Sequence, residues 1–136
     1  MRKWIIVALC LISGAAYAQT VILQPSPAQS IAGSVISMTA ISPGFVIKAA
    51  PGNLYQLTST GTTPSFLMTF NATSVPADGA VAPVDCISTN GLSTATLNFS
   101  PGPPEFFSVG IVAAMSSTGC FIKTGLTASF FKALFQ

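Results

Sequence analysis

The segment Pro51-Gly52-Asn53-Leu54-Tyr55-Gln56-Leu57-Thr58-Ser59 contains the pattern that recurs along most of this chain. Its first three residues favour a tight turn, because Pro presets φ and either Gly or Asn accepts a positive φ. Over residues 54–59 the side chains fall into two alternating sets, and side chains two positions apart lie on the same face of a strand. The segment therefore predicts a turn that leads into a strand.

Comparable short extended segments lie on both sides of this one, separated by Gly, Pro, Asn and Ser. The other predicted strands cover residues 20–24, 34–40, 44–49, 65–71, 81–87, 94–99, 106–115, 120–124 and 127–135. The segment 106–115 is the most apolar of these and is predicted to be a central strand. Residues 127–135 also fit a helix, because Phe130, Phe131 and Leu134 share one helical face, but we favour a strand.

Short strands at roughly ten-residue spacing, with turn residues between them, are typical of sandwiches and jelly rolls. We therefore predict an all-β fold, namely a single antiparallel β-sandwich or jelly-roll-like domain of about eight to ten strands. This domain is expected to cover residues 34–136, after an N-terminal extended segment at 19–33.

The first eighteen residues have the three parts of a secretory signal peptide. Met1-Arg2-Lys3 is positively charged, residues 4–12 are apolar, and Ala16-Tyr17-Ala18 has small residues at both ends. We predict a signal helix at 1–18, cleaved between Ala18 and Gln19. A membrane anchor is the alternative, but the apolar run is well short of the ~20 residues that a span requires. The protein is therefore expected to be exported, without a stable membrane anchor, to the periplasm, the exterior or a virion surface.

Charged residues make up only 6% of the chain, against about 25% in an average soluble domain. After removal of Arg2 and Lys3, the three lysines Lys48, Lys123 and Lys132 balance Asp78, Asp85 and Glu105. A formally neutral protein has no basic patch for nucleic acid. Such a surface associates readily, so the expected partners are further copies of the chain or other surface or virion proteins.

Cysteine usage agrees with export. Cys10 lies in the predicted signal, which leaves Cys86 and Cys120 as a pair. In an oxidising compartment the pair predicts a disulfide, with two buried free thiols as the alternative. No His and no CxxC spacing is present, so neither a metal nor another cofactor is predicted.

The sequence offers little for catalysis. Without His, the commonest general base is missing. Asp78 lies in Pro-Ala-Asp-Gly, where an Asp usually bonds its own turn. Asp85 and Glu105 are the only remaining carboxylates, and nothing in their spacing recommends them as a glycosidase pair. We therefore predict a protein that is not an enzyme.

Three stretches carry a resemblance to a known group: 49–55 (AAPGNLY), 76–81 (PADGAV) leading to Cys86, and 116–121 (SSTGCF). In this order they resemble a family of small, mostly uncharacterised proteins encoded by tailed bacteriophages and prophages. The resemblance covers about residues 34–130. It implies a compact β-sandwich at a virion surface and brings no catalytic residues. That family is associated with chains that lack an export signal, so the signal here leaves open a phage-derived domain recruited for secretion.

These observations favour a non-enzymatic structural or adhesive protein, either a virion surface component or a secreted domain. The alternative is a periplasmic or extracellular module that binds a glycan or a protein. Clustered exposed aromatic residues or a polar groove would favour binding, whereas a flat, symmetric apolar patch would favour assembly. A small hydrolase would require polar residues that converge in a pocket.

Overall fold

A computed structural model describes residues 33–38, 40–61, 63–90, 93–125 and 129–136. The predicted signal peptide at 1–18, the cleavage site at Ala18 and Gln19, and the predicted strand at 20–24 lie outside the described residues. So does the predicted extended segment at 19–33, apart from Gly33. All described residues belong to one compact unit, Ile31–Gln136.

Eleven strands make up the secondary structure of the described residues, which contain no helix, so the predicted all-β class is confirmed. The strands are β1 (Ser34–Ser37), β2 (Gly44–Lys48), β3 (Gly52–Gly61), β4 (Pro64–Asn71), β5 (Gly79–Ala80), β6 (Asp85–Asn90), β7 (Thr94–Asn98), β8 (Glu105–Phe107), β9 (Ile111–Ser116), β10 (Ile122–Lys123) and β11 (Ser129–Phe135).

The strands form two main antiparallel sheets and a small ribbon. Sheet A has the order β1-β11-β3-β7, and β8 also pairs with β3 beyond the end of β7. Sheet B has the order β2-β9-β4-β6, and β5 pairs with β10 in the ribbon. When the ribbon strands are set aside, most connections between consecutive strands cross from one main sheet to the other.

The main core lies between the two sheets. Alternate residues of each strand point into it, which is why the period-2 pattern of the sequence is visible. Sheet A contributes Leu54, Leu57, Ala95, Leu97, Phe107, Phe131 and Ala133. Sheet B contributes Ile47, Leu67, Ile111, Ala113 and Met115.

Sheet B is also covered on its other face. Met68, Phe70, Val112 and Ala114 form a second, smaller apolar cluster there. Two chain segments, 72–84 and 117–125, are called here the covering segments. Val75 and Val81 of the first pack against this cluster, and Lys123 of the second is buried. Because sheet B is enclosed on both faces, every residue of β9 is buried.

The predicted single strand at 106–115 is wrong. Its residues belong to β8 in sheet A and β9 in sheet B, with the crossing at Gly110. A Cβ at Gly110 would lie 2.5 Å from the carbonyl oxygen of Ala72 and 2.9 Å from that of Lys48, so only glycine fits this corner. Because buried apolar residues lie on both sides of this corner, the hydropathy of the sequence does not reveal it.

The other boundaries differ by smaller amounts. The C-terminal segment is a strand, as favoured, with β11 described from Ser129. The predicted strand at 81–87 is displaced, since β6 begins at Asp85 and residues 81–83 belong to a covering segment. The predicted strand at 120–124 is reduced to the two residues of β10.

Candidate binding face

The outward-pointing side chains of sheet A form a regular surface, called here the outer face. Their partners across the strands point to the same side, because directly opposed residues of an antiparallel pair share a face. The outer face consists of Val35, Ser37, Gln56, Thr58, Thr60, Thr94, Thr96, Asn98, Phe130, Lys132 and Leu134.

Strand register arranges these side chains in rows across the sheet. Lys132 is opposite Ser37 on one side and Thr58 on the other, and Thr58 is opposite Thr96. The hydroxyl oxygens of Thr58 and Thr96 are 3.4 Å apart. The next row repeats the motif, with 3.4 Å between the hydroxyls of Thr60 and Thr94. The result is an ordered array of hydroxyl groups beside a lysine.

A shallow cavity of about 380 Å³ lies on the β1, β11 and β3 side of this face. Its lining consists of Val35, Gln56, Thr58, Lys132, Ala133 and Leu134. Small-molecule sites typically have volumes of about 300 to 1,000 Å³ and combine apolar walls with a few polar groups. The volume of the cavity lies at the lower end of that range, and its lining combines the polar groups of Gln56, Thr58 and Lys132 with the aliphatic side chains of Val35 and Leu134.

Among the described residues, Lys132 is the only charged side chain of the outer face. Asp78 lies in a covering segment, Asp85 lies in β6 of sheet B, and Glu105 is opposite the buried Leu54 and therefore points inward. The single ion pair among the described residues joins Lys123 to Asp78. The ammonium of Lys132 is therefore available for a ligand.

The structure joins Cys86 and Cys120 in a disulfide, as the sequence predicts, with their Cα atoms 5.7 Å apart. Cys86 lies on the edge strand β6, and Cys120 lies in the covering segment 117–125. The bond therefore fastens this segment to sheet B, on the opposite side of the molecule's core from the outer face. Its role here is structural.

Asp78 also secures the covering segments. Its carboxylate accepts hydrogen bonds from the Lys123 ammonium and, at 2.9 Å, from the Gly125 amide. The Lys123 hydrogen bond, followed by that of Gly125, holds the pKa of Asp78 below its ordinary value of 3.8. The expectation that Asp78 bonds its own turn is thus corrected, since its partners lie 45 and 47 residues away.

The other two carboxylates that the sequence brought under consideration lie on strands of different sheets. Asp85 is in sheet B, where its amide donates to the Thr69 hydroxyl at 3.1 Å. Glu105 is in sheet A, opposite Leu54.

Sequence reasoning missed Lys132 and the threonine rows as a site. The alternation at 54–59 and 94–99 identified Thr58 and Thr96 as strand residues with a common parity. Their juxtaposition follows from the pairing of β3 with β7, which the sequence does not specify. Lys132 was hidden because residues 127–135 fitted both a helix and a strand.

No family model, curated protein or solved structure matches this chain. The described part of the chain contains no helix with the length and apolar character that a membrane span requires. Cys, Asp and Glu form no group of three or more with the placement of a metal site in those same ranges.

Proposed function

We propose that this protein is an exported, non-enzymatic adhesive domain that binds its target through the outer face of sheet A. The observation that carries the proposal is the combination on that face of ordered hydroxyl rows, a cavity and one lysine. A polar groove of this kind favours recognition of a ligand over association through a symmetric apolar patch.

The strand order supports a jelly roll as the finer architecture. With the ribbon strands and β8 set aside, eight strands remain, and they are renumbered here from 1 to 8 along the chain. Sheet A then has the order 1-8-3-6, and sheet B has the order 2-7-4-5. This is the order of a double-sheet jelly roll. Such folds include viral capsid and lectin domains. The fold agrees with a virion or adhesive role by analogy, while the role itself is argued from the outer face.

Export rests on the sequence of residues 1–18 and on the disulfide. A disulfide is compatible with an oxidising location outside the cytoplasm. Peptide mass spectrometry on purified particles and on cleared culture supernatant tests the location. Enrichment in particles, with a mature N-terminus at Gln19, supports an exported virion component, whereas free protein alone points to a secreted adhesin.

Adhesion is tested with Thr58→Trp, which fills the cavity with a bulky side chain that strands accommodate. We expect labelled wild-type protein to co-sediment with bacterial envelopes and the variant to bind at least tenfold more weakly. Ser88→Trp is the matched control, because Ser88 is exposed on β6 of sheet B. Equal binding by both variants, or no binding by the wild type to any envelope, contradicts an adhesive role for this face.

A further inference from the structure

Lys132 differs from the other two lysines of the described residues. Lys123 is buried and paired with Asp78. Lys48 lies in sheet B, and its side chain passes over Gly52, where a Cβ would lie 2.9 Å from Lys48 Cδ. Lys132 is exposed in the middle of the outer face. It is therefore the cation of this face that a ligand can reach.

The neighbours of Lys132 complement a single negative charge surrounded by hydroxyl groups. Thr58 and Gln56 lie with it in the cavity lining, and Ser37 is its direct partner on β1. A Lys ammonium donates up to three hydrogen bonds, while hydroxyl and amide groups both donate and accept. Together they match a carboxylate with adjacent sugar hydroxyls.

Two aliphatic side chains also line the cavity. Val35 is 61% exposed and is directly opposite Leu134, which is half-buried. An exposed aliphatic pair of this kind gains free energy when it is covered by apolar surface. The C–H face of a pyranose ring provides such a surface, whereas a small inorganic anion does not.

The number of cations on the outer face restricts the class of ligand further. A nucleic acid or polyphosphate is bound through several cations along its backbone, and the outer face has one. A neutral glycan offers the ammonium hydroxyl acceptors but no negative charge, so it forms the weaker hydrogen bond. We propose that the cavity around Lys132 is a subsite for a uronic acid unit of an acidic polysaccharide; this inference rests on the adhesive function proposed above and specifies its target.

The subsite is tested by NMR titration of the mature protein with glucuronate, glucose and acetate. We expect glucuronate to shift the amide signals of Thr58 and Lys132 saturably. Glucose and acetate should each bind at least tenfold more weakly, because glucose lacks the charge and acetate lacks the ring. A charge-assisted hydrogen bond accounts for a factor of about ten or more.

Matched variants separate the charge of Lys132 from charge in general. Lys132→Gln should weaken glucuronate binding about tenfold or more, and Lys132→Arg should retain most of it. Lys48→Gln removes the same charge from sheet B and should leave binding unchanged. Equal affinities for glucuronate and glucose, or equal losses in Lys132→Gln and Lys48→Gln, overturn the subsite.

The two proposals fail in different ways. If envelopes bind the wild type but not Thr58→Trp, while glucuronate binds no better than glucose, the adhesive face stands and the acidic ligand is wrong. If acetate binds as tightly as glucuronate, the site is a carboxylate site without a sugar component, which also overturns this inference. If the wild type binds glucuronate but no envelope, the adhesive function alone is contradicted.

Discussion

The buried ammonium of Lys123 has one counterion among the described residues, the carboxylate of Asp78. The Lys123 side chain is 5% exposed, whereas that of Asp78 is 56% exposed. A buried ammonium without a counterion is strongly unfavourable. Asp78 therefore stabilises the fold chiefly by neutralising Lys123. Screening by water limits the stabilisation that comes from the exposed carboxylate itself.

Asp78→Asn should accordingly lower the unfolding midpoint by several degrees at neutral pH. The double variant Asp78→Asn/Lys123→Met should lose less than the single one, because it removes the buried charge along with its partner. Thermal unfolding of both variants beside the wild type measures this. A double variant that is less stable than Asp78→Asn would contradict the assignment.

The same pair predicts a dependence on pH. The pKa of Asp78 is lower in the folded protein, because its charged form accepts the Lys123 and Gly125 hydrogen bonds. The stability that the charged Asp78 carboxylate contributes to the fold is therefore complete above the ordinary pKa of 3.8. It is lost as the pH falls through the lowered pKa. The difference in midpoint between wild type and Asp78→Asn should shrink from pH 7 towards pH 3. Comparison of the two proteins removes the effects of pH that both have in common.

Individual residues differ in how well the sequence predicts their roles. The partnership of Cys86 with Cys120 was predicted because these are the two cysteines outside the predicted signal peptide. The partnership of Asp78 with Lys123 was not, because a carboxylate in a turn has a local use that fits equally well. Only the packing of two covering segments against the same sheet brings the latter pair together.

Among the structural elements, the covering segments are unusual because they are not secured by long strands. Short local interactions hold them against sheet B instead. The ribbon of β5 and β10 pairs two residues on each side. The Ser116 hydroxyl donates to the Ile122 carbonyl at 2.7 Å and accepts from the Thr124 amide at 3.1 Å. The disulfide adds a covalent connection to β6. These segments should therefore depend strongly on that bond.

Replacement of both cysteines, Cys86→Ser/Cys120→Ser, should lower the free energy of unfolding by about 3 to 4 kcal/mol, the chain-entropy value for a loop of this size. Urea denaturation of the oxidised wild type and of the variant measures the loss. Dithiothreitol should bring the wild type close to the variant and leave the variant unchanged. A variant as stable as the oxidised wild type would mean that the covering segments hold without the bond.

Elements with a uniform pattern were predictable, and those defined by a change of direction were not. The strand that begins near Leu54 was marked by a turn and by alternation of its side chains. The break between β8 and β9 was not, because Gly110 lies within a continuous apolar stretch. The outer face required still more information, since the rows of Thr58 and Thr96 exist only in one register of two strands distant in sequence.

For the whole molecule, the two apolar clusters on either side of sheet B should respond differently to the same type of change. Leu67 and Met68 are adjacent in β4 and both fully buried. Leu67 belongs to the main core, and Met68 lies beneath the covering segments, directly opposite Cys86. Each substitution to Ala should cost about 2 to 5 kcal/mol.

The distinction appears when each substitution is combined with Cys86→Ser/Cys120→Ser. The effect of Leu67→Ala should add to the loss of the disulfide, whereas Met68→Ala should cost less in the variant than in the wild type. Loosening of the covering segments already exposes Met68, so its truncation then removes less packing. Urea denaturation of the wild type, the three parent variants and the two combined variants gives the coupling energies, and equal coupling for both positions would contradict two separate clusters.

Enclosure of sheet B on both sides gives the described part of the molecule a front and a back. One broad sheet face is open, and the other is sealed beneath the disulfide-linked segments. Under the adhesive function proposed here, a single copy is therefore monovalent for a flat target. It can coat a surface, but bridging two surfaces requires two copies joined back to back or by their edges.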